Sequence, residues 1–307
     1  MLAQLAKAWL LVLLLAAPLR AADTIVFQLD EDGDLKAAAE ELALQFEAQD
    51  QVLEVVTPQS SIDGLVRVAR GEAQFGVVRL DTLHFLLGNP EFKKRLGDVQ
   101  LVAPLYPDEL ILVGQNEIRE VADLKGRRVN IGTEGSGIAG CAVLVLNAFG
   151  LGDGYQARES KPDEAFQALV GEQVEAVFLS TSQANRLLGD RDHGGLRLLS
   201  LGEEMVQMLS RNELVKGIYH PAVLALEEYP WLPRAAVTIA TPLVLVVHKG
   251  VSNEVVATVA AALGESSATW ADENPRWKSF DASKALTWLE SAPLQAHPGA
   301  LEGLKGR

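Results

Sequence analysis

The sequence predicts an α/β protein built as two similar lobes that face one cleft. Three observations predict it. Short apolar, β-prone runs alternate with amphipathic stretches of helical spacing, which is the pattern of strand–helix–strand units and parallel sheets. Two segments, Gly71-Glu72-Ala73-Gln74-Phe75-Gly76-Val77-Val78 and Gly171-Glu172-Gln173-Val174-Glu175-Ala176-Val177-Phe178, share one shape. In each, a helix ends at Gly, polar residues follow, and an apolar strand runs into a polar site, Arg79-Leu80-Asp81 in one and Ser180-Thr181-Ser182 in the other. Ligands of open α/β sheets sit at the carboxyl ends of strands, so a duplicated unit of this kind implies two strand ends facing one ligand. Chance recurrence of a common helix–Gly–strand connection is the plainer alternative. Finally, 307 residues are long for one hydrophobic core and comfortable for two.

The elements follow in order. Residues 24–29 read as a strand. Residues 35–49 read as a helix, with Leu35, Ala38, Ala39, Leu42 and Phe46 at helical spacing and Asp34 as its N-cap. Strands follow at 53–56, 75–78, 101–105, 109–114, 128–132 and 176–179, and helices at 61–70, 137–149, 162–170 and 182–188. The late apolar run 242–247 reads as a strand that returns to the first lobe. That assigns residues 22–111 and 241–307 to lobe 1 and 112–240 to lobe 2. From Pro293 onward the chain is punctuated by Pro and Gly and reads as a surface wrap.

The first residues read as an export signal. Lys7 precedes an unbroken apolar run from Ala8 to Ala17, Pro18 breaks it, and Ala21 offers a small residue for cleavage. The run is well short of the roughly 20 residues a membrane span needs. Cleavage after residue 21 predicts a mature protein in the periplasm. It removes Lys7 and Arg20 and no acid, taking the net charge from −14 to −16. Such a balance argues against nucleic acid, which needs a basic footprint. The single Cys141 excludes an intramolecular disulfide and, inside an apolar helical run, reads as a buried, inert thiol.

The chemistry concentrates in Asp123 to Gly137. A strand ends in Thr133-Glu134-Gly135-Ser136-Gly137, and an apolar helix begins at once. Such a loop leaves helix N-terminal N–H groups pointing outward, where the helix dipole favours an anion. Gly135-Ser136-Gly137-Ile138-Ala139-Gly140 spells the dinucleotide fingerprint, but it lies mid-chain and two residues past its strand, which makes it a weak match. The phosphate-loop pattern fails because Ile138 stands where Lys is required. The hydrolase elbow fails because Glu134 stands where its first Gly belongs. Ser136 is therefore a hydrogen-bonding group and not a nucleophile. The five histidines show no metal-ligand spacing, and Asp30-Glu31-Asp32-Gly33-Asp34 lacks the distal Glu of a calcium loop. No metal, no cofactor and no enzyme activity are expected. Arg79 and Asp81, at the end of a buried strand, are the unusual pair. Arg79 must either meet a ligand carboxylate or be neutralised by a neighbour such as Asp81.

These segments resemble the TAXI family of solute receptors, the exported binding components of TRAP transporters. Ser60-Ser61-Ile62-Asp63-Gly64-Leu65 is similar to that family's Gly-Ser-x-Glu-Asn-Leu helix start. Gly71 to Asp81 is similar to its Gly-Glu-Ala-Asp-x-Gly-Ile-x-Gln-x-Asp segment. Leu105-Tyr106-Pro107-Asp108-Glu109, then Asp123-Leu124-Lys125-Gly126-Arg127-Arg128-Val129, then Gly135-Ser136-Gly137 resemble its central motif in order and spacing. Gly217-Ile218-Tyr219 and Pro293-Leu294-Gln295-Ala296-His297-Pro298-Gly299-Ala300 resemble two later segments. The resemblance implies a type II periplasmic-binding fold that closes on a small organic acid or amino acid and delivers it to TRAP membrane permease subunits. With the strand-end reading, it nominates Ser61, Arg79, Asp81, Thr133, Gly135, Ser136, Gly137, Thr181 and Tyr219 as ligand contacts. The chain departs from the family at three contacts. The loop after the first strand, Gln28 to Asp34, is acidic instead of Gly/Ser/Thr-rich. Ile138 replaces a Thr, and Arg79 replaces a Gln. A retuned pocket is one outcome of these changes. The other is a periplasmic sensor or partner-binding receptor that has lost the usual ligand site.

Overall fold

The structure, a computed structural model, describes residues 23–28, 36–47, 51–189, 194–212, 215, 217–225, 235–272 and 274–306. The export signal and the acidic turn Asp30–Asp34, with its N-cap, lie outside the described residues.

One mixed sheet runs through the molecule. Its first half is built by β1 (Asp23–Gln28), α1 (Lys36–Glu47), β2 (Gln51–Val56), α2 (Ser61–Ala69), β3 (Phe75–Arg79) and α3 (Leu80–Leu87). After α4 (Pro90–Arg95) comes the long β4 (Val99–Gln115). The second half repeats the opening with β5 (Arg128–Asn130), α5 (Gly137–Ala148), β6 (Gln156–Arg158), α6 (Pro162–Val170), β7 (Ala176–Ser180) and α7 (Thr181–Leu188). Then come β8 (Leu196–Leu198), α8 (Glu203–Arg211), β9 (His220–Leu224), β10 (Ala236–His248), α9 (Asn253–Trp270), α10 (Ala282–Leu289) and α11 (Pro298–Leu304).

The strand order shows the duplication. It reads β2-β1-β3-β10-β4 in one half and β6-β5-β7-β4 in the other. In both halves the first strand pairs in parallel with the second and the third, and the third meets an antiparallel strand that arrives from across the molecule. Two strands make the crossing. Val99–Glu109 of β4 pairs with β10, and Leu110–Gly114 of the same strand pairs with β7. The sequence suggests two strands here, 101–105 and 109–114, split at Pro107. The structure has one continuous strand of 17 residues. Pro107 is tolerated because it faces Pro242 of β10 beside a bulge, so the rung loses donors on both strands at one irregular point.

Alternation along β4 covers both faces. Leu110 and Leu112 join the large core with Cys141, Ala142, Val145 and Leu146 of α5. Ile111 and Val113 join a second core with Phe166 and Leu169 of α6 and Leu188 of α7. The closing segment is a correction to the surface wrap expected from its Pro/Gly content. Residues 298–304 form a helix with Gly299, Ala300, Gly303 and Leu304 buried. Proline suits its first turn. Gly303 lets it lie directly on α9, since a Cβ there would fall 2.7 Å from the Ala260 methyl. His297 starts this helix. Its Nδ1 accepts from the Gly299 N–H at 3.2 Å, and its Nε2 lies 3.1 Å from the Val251 carbonyl.

The two duplicated units end their helices alike. Glu72 N donates to Arg67 O at 2.9 Å, and Gln173 N donates to Ala168 O at 2.7 Å. The left-handed residue is Gly71 (φ 71°) in the first unit and Glu172 (φ 56°) in the second, one position after its Gly. Shared sequence shape and shared backbone are thus offset by one residue. A side chain in this conformation costs about 1–2 kcal/mol, and glycine gives part of that back in the unfolded chain. Glu172→Gly is expected to raise stability by about 0.5–1 kcal/mol, read as a higher urea midpoint at unchanged m-value.

Candidate functional site: a cleft between the two halves

A cavity of about 280 Å³ opens where the two halves meet. Its walls are mostly helix beginnings. Ser60 and Ser61 come from α2, Ser136, Gly137 and Ile138 from α5, Lys161 and Pro162 from α6, and Ser180, Ser182 and Gln183 from α7. Arg79, the residue before α3, and Asp108 of β4 form part of the lining. Each helix begins here because each follows the carboxyl end of a strand in a parallel unit. The caps are local. Ser60 Oγ accepts from Asp63 N at 3.2 Å, Ser136 Oγ from Ala139 N at 3.1 Å and Ser180 Oγ from Gln183 N at 3.3 Å. A serine that accepts in this way still has its own O–H to donate.

The nominated residues divide into two groups. Ser61, Arg79, Thr133, Ser136 and Gly137 line the cavity. Gly135 (φ 72°) stands beside it, where a Cβ would lie 3.3 Å from Ser60 Oγ of the opposite wall. Asp81, Thr181 and Tyr219 are buried behind the wall with 1%, 3% and 1% of their surface exposed. Ser60, Asp108, Lys161, Ser180, Ser182 and Gln183 line the cavity without having been nominated as ligand contacts from the sequence. Ser180 and Ser182 carried a signal as the polar end of an apolar strand, and Asp108 as an acid between two apolar strand runs.

Arg79 resolves into a buried network. Its Nε donates to Asp81 Oδ1 at 3.2 Å and its Nη2 to Asp81 Oδ2 at 3.0 Å, while Nη1 pairs with Asp108 Oδ2. Asp81 also takes the Thr82 N–H at 2.6 Å and the Tyr219 O–H at 3.1 Å. Asp108 Oδ1 accepts the Thr181 N–H at 3.3 Å. Burial alone would lower the Arg79 pKa. The charges of Asp81 and then Asp108 outweigh it and hold the guanidinium well above its ordinary value. On the next residue of β4, Glu109 accepts from Thr181 Oγ1 and lies 3.9 Å from Arg276 Nε. Burial raises its pKa, against the pull of the Thr181 hydrogen bond. Thr181 is therefore a tie between α7 and the crossing strand.

Cys141 is fully buried beside this network, and burial pushes its thiol up to about 12. It is a protonated packing group at neutral pH. Among the described residues, no cluster of three His, Cys, Asp or Glu side chains could hold a metal ion. No helix of the described residues is long and apolar enough to cross a membrane.

Solved structures place this architecture. The chain is similar to the alkanesulfonate-binding protein SsuA from Xanthomonas axonopodis pv. citri bound to MOPS, with a TM-score of 0.50, 19% identity, and coverage of 94% of this chain and 84% of that one. It is similar to a histidine kinase sensor domain with similarity to periplasmic binding proteins, with a TM-score of 0.52, 13% identity, and coverage of 84% and 97%. It is also similar to Tv2483 bound to L-arginine, with a TM-score of 0.51, 12% identity, and coverage of 83% and 90%. At these identities the likeness carries the fold, which is the type II periplasmic-binding-protein fold of two α/β lobes around a cleft. The model of the NMT1-like family matches residues 37–305, almost the whole of the described chain, and the protein belongs to that family.

Proposed function

We propose that the protein is an exported solute receptor of the TAXI kind, which captures a small organic anion or amino acid in the cleft and passes it to TRAP permease subunits. Residues 22–111 and 241–307 form one lobe, 112–240 form the other, and the two crossing strands are the hinge. The observation that carries this reading is the convergence of four helix N-termini, with five serine hydroxyls and Lys161, on one small cavity. Oriented N–H groups and hydroxyls of this density are an anion cradle that needs no metal and no covalent chemistry. The volume lies near the lower end of the about 300–1,000 Å³ of ligand pockets, which suits a metabolite of amino-acid size. The matched structures are binding proteins and sensor domains, which agrees with capture and not catalysis.

A thermal-shift screen of carboxylates and amino acids tests the reading. A captured ligand at one hundred times Kd adds about 2.7 kcal/mol to stability. Ser136→Ala removes a hydroxyl donor to a charged group, and affinity measured by calorimetry is expected to weaken by about 1.5–3 kcal/mol. Unchanged affinity would remove Ser136 from the site. The competing reading, a sensor or partner-binding receptor without the usual site, draws on the commitment of Arg79 to two protein carboxylates. It predicts no shift with any member of the screen.

A further inference from the structure

Among the described residues, the buried network holds one more carboxylate than cation. One guanidinium, Arg79, faces two carboxylates, Asp81 and Asp108. Asp81 alone neutralises Arg79. It meets Nε and Nη2, takes further donors from Thr82 and Tyr219, and does not line the cavity. Asp108 is the surplus acid. It is 3% exposed yet lines the cavity, and each of its oxygens has one protein donor among the described residues, Arg79 Nη1 on Oδ2 and the Thr181 N–H on Oδ1. A carboxylate has about four acceptor positions, so capacity remains on both oxygens. Thr241 stands directly opposite Asp108 across the β4–β10 ladder, on the same face. Thr241 is 0% exposed, its hydroxyl has no hydrogen-bond partner among the described residues, and it does not line the cavity. A desolvated surplus charge that lines the cavity calls for a cationic donor. The start of α7 gives Asp108 one N–H, from Thr181, and no full cation, while Lys161 and the starts of α2 and α5 come from other elements of the lining.

Resting on the receptor reading above, we propose that Asp108 is the subsite for a cationic nitrogen. The ligand class is then a carboxylate bearing an ammonium group, its carboxylate in the serine and helix cradle and its nitrogen on Asp108. Simple dicarboxylates, which bring a second negative charge to Asp108, are poor ligands. Arg79 is a positioning residue that holds Asp108 and does not meet the ligand carboxylate.

Matched pairs test the assignment: amino acids against the 2-hydroxy acids with the same side chain, together with dicarboxylates that lack nitrogen, measured by calorimetry on the full mature chain. Wild type is expected to bind the amino acid of a pair at least about tenfold more tightly than its hydroxy partner. Asp108→Asn is expected to bring the two within about threefold. An equal preference in wild type, or a preference that survives Asp108→Asn, overturns the subsite while leaving the receptor reading intact. Binding of no compound in either set overturns both. If Asp108→Asn does not fold, the wild-type preference decides alone.

Discussion

Arg79→Gln is expected to destabilise the protein by about 3–5 kcal/mol, because it removes the cation from between two buried carboxylates. Gln cannot supply the fork that Asp81 and Asp108 share, and the Tyr219 and Thr82 donors to Asp81 carry no full charge. The two buried carboxylates would then face each other with no cation between them. Urea unfolding at pH 7.5 measures the loss. Adding Asp81→Asn should recover most of the loss, since one carboxylate then remains. A variant equal to wild type at pH 7.5 would show that the cluster is hydrated and loosely held. From the sequence, with a neutral Gln at this place in the TAXI resemblance, the same substitution promised a change of ligand. The buried pairing makes stability its first effect.

Gly137→Ala is expected to weaken ligand affinity by about 1–3 kcal/mol, roughly 5- to 150-fold. Gly137 opens α5 in one half, and a Cβ there would fall 2.6 Å from Arg79 Cδ and closer still to Thr82 Oγ1, both in the other half. The Arg79 side chain cannot swing away, because two carboxylates hold it. The clash is relieved most readily by parting the two halves, so the variant should fold yet close poorly. Small-angle scattering should then report a larger radius for the variant at saturating ligand. Gly140 is the control. It lies one turn further along α5, is exposed, and a Cβ there meets nothing within 4 Å. Gly140→Ala should leave affinity unchanged and gain about 0.5–1 kcal/mol of stability. Equal affinity in both variants would mean that the contact across the cleft is not kept when ligand binds.

What the sequence determined by itself is everything carried by local period and local chemistry. The alternation of runs located the duplicated units. Pro162 and the apolar spacing after it marked α6, which the structure has at Pro162–Val170. Ser136 between two glycines announced a helix start facing outward. The strand end at Arg79 marked the polar floor. The tertiary structure alone decided which polar groups meet. Asp108 reaches Arg79 from 29 residues away and Thr181 from 73. Both meetings depend on the register of β4 against β10 and β7, which no local pattern encodes. The same register let β4 run on through Pro107, where a sequence rule expects a break. The tail became a helix because Gly299 and Gly303 lie against α9, and a glycine's value there is the absence of a side chain next to a surface that the rest of the chain must first build.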